Sequence, residues 1–159
     1  MEPSVLDIDP AHDEIFMAEA LKEARKAYDM GEVPIGCVIT HSGEIIARGA
    51  NQRATGANAL YHAEILTINT ACKHIGDWRL EGCRIYVTIE PCPMCAGAII
   101  QARIPTVVYG AKNPKAGSAG SIINILEEPR FNHQAQVISG VLEAECGDIM
   151  REFFTRFRK

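Results

Sequence analysis

In the stretch "NALYHAEIL", residues 58–66, His62 and Glu64 stand two positions apart, and some thirty residues later "IEPCPMCAGA" carries the pair Cys92-x-x-Cys95. Both groups interrupt apolar runs, where a polar side chain without a partner is costly. One imidazole and two thiols are borderline-to-soft donors, the set that suits zinc. Three protein ligands leave the fourth tetrahedral position to water, which is the arrangement of a catalytic zinc and not of a structural one. Two thiolates already neutralise a dication, so the bound water is less acidic than it would be on three histidines. A neighbouring carboxylate is then needed to move its proton, and Glu64 is spaced to be that acid and base.

Taken separately, these motifs say less. A Cys-x-x-Cys pair also reads as a redox couple, or as two core cysteines opening a helix, and a lone His-x-Glu carries no meaning. Their combination favours one catalytic Zn2+ per chain, with a purely structural or redox site as the alternatives. Cys37, Cys72, Cys83 and Cys146 fall in strand, helix or strand-edge patterns and read as core residues, while His12, His41 and His74 read as surface.

The elements that must position this chemistry follow from periodicity. Phe16, Ala20, Ala24, Ala27 and Tyr28 recur at helical spacing over His12–Met30, and Gly31 stops the run. Ile35–Thr40 and Glu44–Gly49 are rich in β-branched residues around "HSG", a hairpin pattern. "YHAEILTINTACKHIG" reads as a helix ending at Gly76, Arg84–Ile89 as a buried strand cut off before Pro91, and "CPMCAGAIIQAR" as a helix that tolerates Pro93 in its first turn. "TVVYGA" is a strand, "KNPKAGSAGS" a loop, "QVISG" a short strand and Leu142–Arg158 a closing helix. Both ligand groups therefore fall at helix starts, where unpaired N–H groups and the dipole favour thiolates. The order of elements predicts an α/β fold, a three-layer α/β/α sandwich with a mixed sheet of about five strands.

At 159 residues the chain is long enough for one hydrophobic core and short for two, so a single domain over 1–159 is expected. An apolar fraction of 47% and a charged fraction of 23% describe a globular chain, with no apolar stretch long enough for a membrane span. The acidic start "MEPSVLDIDPAHDE" has no secretory pattern, and six irregularly spaced cysteines suit a reduced, cytoplasmic protein. A net charge of -4 argues against general coating of nucleic acid but leaves room for a local basic patch. One lies in the last helix. Leu142, Cys146, Ile149, Phe153 and Phe157 form an apolar stripe, and Arg151, Phe154 and Arg158 form a second stripe on another face. That second stripe fits either a solvated surface or phosphate contact with base stacking.

His62-Ala63-Glu64 together with Pro91-Cys92-Pro93-Met94-Cys95 resembles the signature of the zinc-dependent cytidine deaminase superfamily. Within it, "EVPIGCVI", "YVTIEPCPMCAGAI", "ARIPTVVYGAKNPKAGSAGS", "FNH", "GVLEAEC" and "FFTRFR" resemble the bacterial tRNA-specific adenosine deaminases over nearly the whole chain. The metal motif is common to the superfamily; the loop Gly110–Ser121, Asn132-His133 and the terminal Phe153-Phe154 point to the tRNA branch. The resemblance implies hydrolytic deamination of adenosine to inosine at the anticodon wobble position, on a base flipped into the zinc pocket, with Glu64 shuttling protons. It further implies that Asn51 and the Ala63 N–H hold the nucleoside. Lys112, Asn113, Lys115, Asn132, His133, Phe153, Phe154 and Arg158 would hold the anticodon stem-loop, and the chain would form a homodimer.

Two residues depart from the family pattern: Tyr61 stands before the histidine where many relatives read "DPTAHAE", and Asn113 replaces a common aspartate. A free nucleobase or nucleoside deaminase of guanine or cytosine type would use the same zinc and Glu64 without the basic, aromatic C-terminal face. A non-catalytic zinc module that binds RNA would have no use for Glu64.

Overall fold

The computed structural model describes residues 10–157, so Arg158 lies outside the described residues. Helix α1 covers Pro10–Asp29 and is followed by strands β1 (Gly36–His41) and β2 (Glu44–Ala50). Helix α2 (Ala63–Ile75), strand β3 (Cys83–Ile89), helix α3 (Pro93–Gln101) and strand β4 (Thr106–Ala111) come next. Strand β5 (Gln136–Ile138) and helix α4 (Glu143–Phe157) complete the order.

The strands form one five-stranded mixed sheet in the order β2-β1-β3-β4-β5. Strand β1 runs antiparallel to β2 and β3, whereas the pairs β3–β4 and β4–β5 are parallel. The β1–β2 connection is two residues long, and Ser42 and Gly43 both take positive φ, 52° and 79°. A turn of that hand matches the twist of the strands it joins.

Alternation along the strands divides the core into two halves. Cys37, Ile39, Ile85, Val87, Val107 and Tyr109 pack with Ala63 and Ala71 of α2 and with Ala96 and Ile99 of α3. Val38, Tyr86 and Val108 pack instead with Phe16, Met17 and Ala20 of α1 and Cys146 of α4. The result is the expected three-layer α/β/α sandwich around a mixed sheet, with α2 and α3 on one face and α1 and α4 on the other. Helix α1 is fixed to the sheet by a buried polar cluster. Arg84 Nη2 and the Tyr86 hydroxyl donate to Asp13 Oδ1 at 2.9 Å and 2.8 Å, and Arg84 Nε donates to the Tyr86 oxygen at 3.1 Å. Burying Arg84 and Asp13 together leaves neither charge unpaired.

The apolar stripe of α4 needs one correction. Cys146, Ile149 and Phe153 are buried and Leu142 half-buried, but Phe157 is exposed. Its ring touches Tyr28 and Phe153 at centroid distances of 6.1 Å and 4.7 Å. Tyr28 is in the last turn of α1, so α1 ends before it can cover the last turn of α4. Cys37, Cys83 and Cys146 are buried and Cys72 half-buried, as expected of core residues, and all six cysteines are free. His74 is exposed, while His12 and His41 are half-buried.

Strand β1 lies close against α1 at its first residue. A Cβ on Gly36 would meet the Ala20 carbonyl oxygen at 2.0 Å and the Ala24 nitrogen at 2.4 Å, both main-chain atoms that cannot swing away. Gly36→Ala should therefore cost about 2–3 kcal/mol or more, as overpacking does. Gly97→Ala, in open space on α3, should instead gain a few tenths to about 1 kcal/mol from helix propensity. Urea unfolding of the two variants checks the contrast.

Candidate active site at two helix starts

Helices α2 and α3 begin beside each other on one face of the sheet, and each is preceded by a ligand residue in extended conformation. His62 is the N-cap of α2 with φ −76° and ψ 151°, and Cys92 is the N-cap of α3 with φ −76° and ψ 175°. Neither side chain caps its own helix, so both are available to point elsewhere. Pro93 occupies the first turn of α3, where its missing N–H is no loss. Both helices start later than the apolar runs suggest, because His62 and Cys92 stand outside the helical geometry they introduce.

His62, Cys92 and Cys95 come together, with their donor atoms all within 4.8 Å of one another. Cys92 Sγ and Cys95 Sγ each lie 3.5 Å from His62 Nδ1. Ligands at about 2.3 Å (sulfur) and about 2.0–2.1 Å (nitrogen) from a tetrahedral centre stand about 3.5 Å apart, so the spacing fits such a centre. No fourth His, Cys, Asp or Glu joins the group among the described residues. Hydrogen bonding to Cys95, side chain and main chain, outweighs burial and holds the Cys92 thiol at about 5, with His62 assisting. The Cys95 thiol is pushed the other way by its hydrogen bond to Cys92 and by burial.

Glu64 lies in the first turn of α2, is buried, and lines a cavity of about 100 Å3 with His62, Ala63, Asn51, Arg53, Val33 and Ile35. Burial raises its carboxyl to about 7, with the Cys92 charge adding to the rise and hydrogen bonds opposing it. A dication held by the neighbouring ligands would draw that value down. Asn51 is itself buried and held from behind: its Nδ2 donates to Glu32 Oε1 at 3.4 Å. Glu32 also accepts the Ala54 and Thr55 N–H groups, which fixes the chain next to Asn51. Tyr61 is half-buried and packs on Gly56, where a Cβ would come within 2.4 Å of its ring.

The remaining expected contact residues divide by position. Lys112 and Lys115 are exposed on the loop after β4. Asn113 is half-buried, and its Oδ1 accepts the N–H groups of Lys115 and Ala116 at 3.2 Å and 3.1 Å. That oxygen shapes a turn ahead of Pro114 and leaves the amide NH2 as the end able to meet a ligand. Asn132 is exposed, and His133 Nε2 donates to the Ile104 carbonyl at 2.8 Å. Both lie by the C-terminal end of α3, about 13 Å along that helix from Cys92, so they are not brought together with the metal ligands. Phe153 is buried against Tyr28 and Phe157, in keeping with its place on the apolar stripe of α4. Phe154 is the exposed ring of the two, and beside it Arg151 pairs with Asp148.

Three site residues were not among the expected ones. Arg53 and Glu32 act at the cavity as described, and Glu90 at the end of β3 is buried with only neutral donors around it. A glutamate ending an apolar strand directly before Pro-Cys was the available signal for the last. Glu32 gave none, because its partners, two backbone N–H groups and the Asn51 amide, are some twenty residues away.

Comparison with known proteins agrees with this geometry. A family model described as MafB19-like deaminase matches residues 11–158. The chain is 56% identical over 147 residues to the tRNA-specific adenosine deaminase of Bacillus subtilis (strain 168), covering 92% of this chain and 91% of that one. A solved structure from studies of A-to-I editing by tRNA:A34 deaminases at the wobble position of transfer RNA is similar with a TM-score of 0.82 and 44% identity, covering 85% of this chain and 98% of that one. The guanine deaminase from Bacillus subtilis is similar with a TM-score of 0.61 and 40% identity over 67% of this chain and 69% of that one. With one family model spanning nearly all of its length and more than half of its aligned residues shared with a tRNA deaminase, the chain belongs to the MafB19-like deaminases, in the group of tRNA-specific adenosine deaminases.

Proposed function

We propose that this chain, as one domain over 1–159, hydrolytically deaminates adenosine to inosine at the wobble position of a tRNA anticodon, using one Zn2+ held by His62, Cys92 and Cys95. The observation that carries the reading is the buried Glu64 carboxyl, which shares one cavity with His62 and Asn51 beside a ligand triangle of only three residues. A structural metal site needs neither the carboxylate nor the cavity.

Zinc, when bound, supplies a Lewis acid that makes water nucleophilic near neutral pH. Glu64 accepts the proton of the attacking water and returns it to the departing amine; a C–O bond forms at the purine carbon, the C–N bond breaks, and ammonia leaves. The Ala63 N–H is at the first position of α2, where a helix has no internal acceptor for it, so it is available to a ring nitrogen of the base. Asn51, held by Glu32, orients the other edge of the base. Lys112 and Lys115, both exposed, would meet phosphates, Asn113 would meet the target nucleotide through its amide NH2, and exposed Phe154 would add a stacking surface on α4; Arg158 would add a further phosphate contact. Asn132 and His133 would contact the anticodon stem-loop away from the reacting base.

Ile123 and Phe131, both exposed and lining one surface pocket with Ile125, support a homodimer, since a contiguous apolar patch is ordinarily covered. A cytoplasmic location is supported by six free cysteines, and no helix among the described residues is long and apolar enough to cross a membrane. The second reading, a free-base deaminase, draws support from the likeness to guanine deaminase.

Bulk tRNA incubated with the protein and sequenced for inosine should show conversion at the wobble position, whereas free guanine, cytosine and their nucleosides should be deaminated far more slowly. The reverse order of rates would establish the free-base reading. Zinc content should be about one per chain, and Cys92→Ser or Cys95→Ser should lose metal and activity together. Mass spectrometry of the metal checks this; full zinc in both variants would remove them as ligands. Glu64→Gln should keep zinc and RNA affinity while turnover falls by about two orders of magnitude or more, measured in single-turnover assays.

A further inference from the structure

Glu90 is the last residue before Pro91 and Cys92, and only 1% of its surface is exposed. A buried carboxylate ordinarily pairs with a cation. This one is satisfied by neutral donors, and all of them belong to one nine-residue segment. Oε1 accepts the Asn113 N–H at 3.1 Å and the Ser121 hydroxyl. Oε2 accepts the Ala119 N–H at 2.9 Å and the Ser121 N–H at 3.1 Å. Four donors on two oxygens use the full accepting capacity of the group.

The segment closes tightly around this carboxylate. A Cβ on Gly117 would come within 2.5 Å of Glu90 Cδ and Oε1, so glycine is required where the loop crosses it. The next residue, Ser118, donates its N–H to the Pro91 carbonyl at 2.9 Å. The loop is thus hung on Glu90-Pro91, immediately ahead of a metal-ligating residue. It carries Lys112 and Lys115 at its exposed start.

We infer that Glu90 is the positioning residue of the substrate loop, holding residues 113–121 in register with the ligand Cys92 so that the flipped nucleotide and the metal centre meet. The inference rests on the reading of this chain as a tRNA deaminase whose loop after β4 touches the RNA. Glu90 contributes no proton and touches no reacting atom; its carboxylate replaces the water that the loop's N–H groups would otherwise bind. Glutamine has the same shape but cannot do this. With its NH2 at the Oε1 position it confronts the Asn113 N–H, and at the Oε2 position it confronts two main-chain N–H groups.

The test compares the parent chain with Glu90→Gln on an RNA hairpin that carries adenosine at the wobble position. Zinc should stay at about one per chain and kcat within about threefold, while KM rises about tenfold or more, as expected when a buried donor loses its acceptor. Glu64→Gln should show the opposite split. Exchange protection of the Asn113, Ala119 and Ser121 amides should fall in Glu90→Gln. An unchanged KM, unchanged protection, or loss of zinc with activity would each overturn the inference, the last because Glu90 would then act through Cys92. If Glu90→Gln does not fold, Ser121→Ala removes one donor at an exposed position, and a KM equal to the parent's overturns the inference. A parent chain that forms no inosine in the hairpin would overturn the functional reading instead, leaving amide exchange to decide whether Glu90 holds the loop.

Discussion

Three donor atoms on two helices must stand within 4.8 Å of one another, and that demand on two helix starts explains much of the architecture around them. A helix cannot bring its first residue to another helix's first residue if bulky side chains separate them. Here the packing layer beside the site is built from Ala63, Ala71 and Ala96, all buried. Small side chains let α2 and α3 settle close to the sheet and to each other. The same helix starts present unpaired N–H groups, which favour thiolate at Cys92 and leave the Ala63 N–H available to a base. On the proposed function, metal affinity and base recognition would both draw on this one feature of backbone geometry.

Buried carboxylates organise the surroundings in two different ways. Asp13 is paired with Arg84 and fastens α1 to β3, on the sheet face away from the site. Glu32 and Glu90 receive mainly backbone N–H groups and fasten loops, one next to Asn51 and the other next to Cys92. A carboxylate that gathers main-chain donors constrains a loop more tightly than an ion pair does, because each acceptor direction specifies one N–H. Both loops gain order this way without taking up a lysine or arginine.

The likeness to both tRNA and guanine deaminases has a local explanation. The candidate ligand triangle, Glu64 and their shared cavity lie at helix starts held by the sheet. On the proposed function, what separates a nucleobase from an anticodon loop would be outside that frame: the loop after β4 and the exposed end of α4. There Lys112, Lys115 and Phe154 face solvent, and Phe153 is withdrawn into the core beside Tyr28.

Local pattern was enough to read much of the molecule. Short runs rich in β-branched residues, such as Val38-Ile39-Thr40 and Val107-Val108, mark the strands, Gly31 and Gly76 end helices, and Pro93 marks a first turn; each depends on a property of one residue or its near neighbours. The grouping of His62, Cys92 and Cys95 was legible for the same reason, since donor type and spacing are properties of the chain itself. Long-range partners decided the rest. Phe157 follows the core stripe of α4 yet is exposed, because α1 ends too soon to cover it. Phe153, one of two adjacent phenylalanines, is buried and the other is not, a choice made by where Tyr28 stands. Asn132 and His133 lie at the far end of α3 because Leu126 to Gln136 return along that side of the sheet. Glu32 and Glu90 acquire their roles from backbone groups more than twenty residues away. Any residue can supply an N–H, so no residue type in those loops announces that a buried carboxylate is waiting for it.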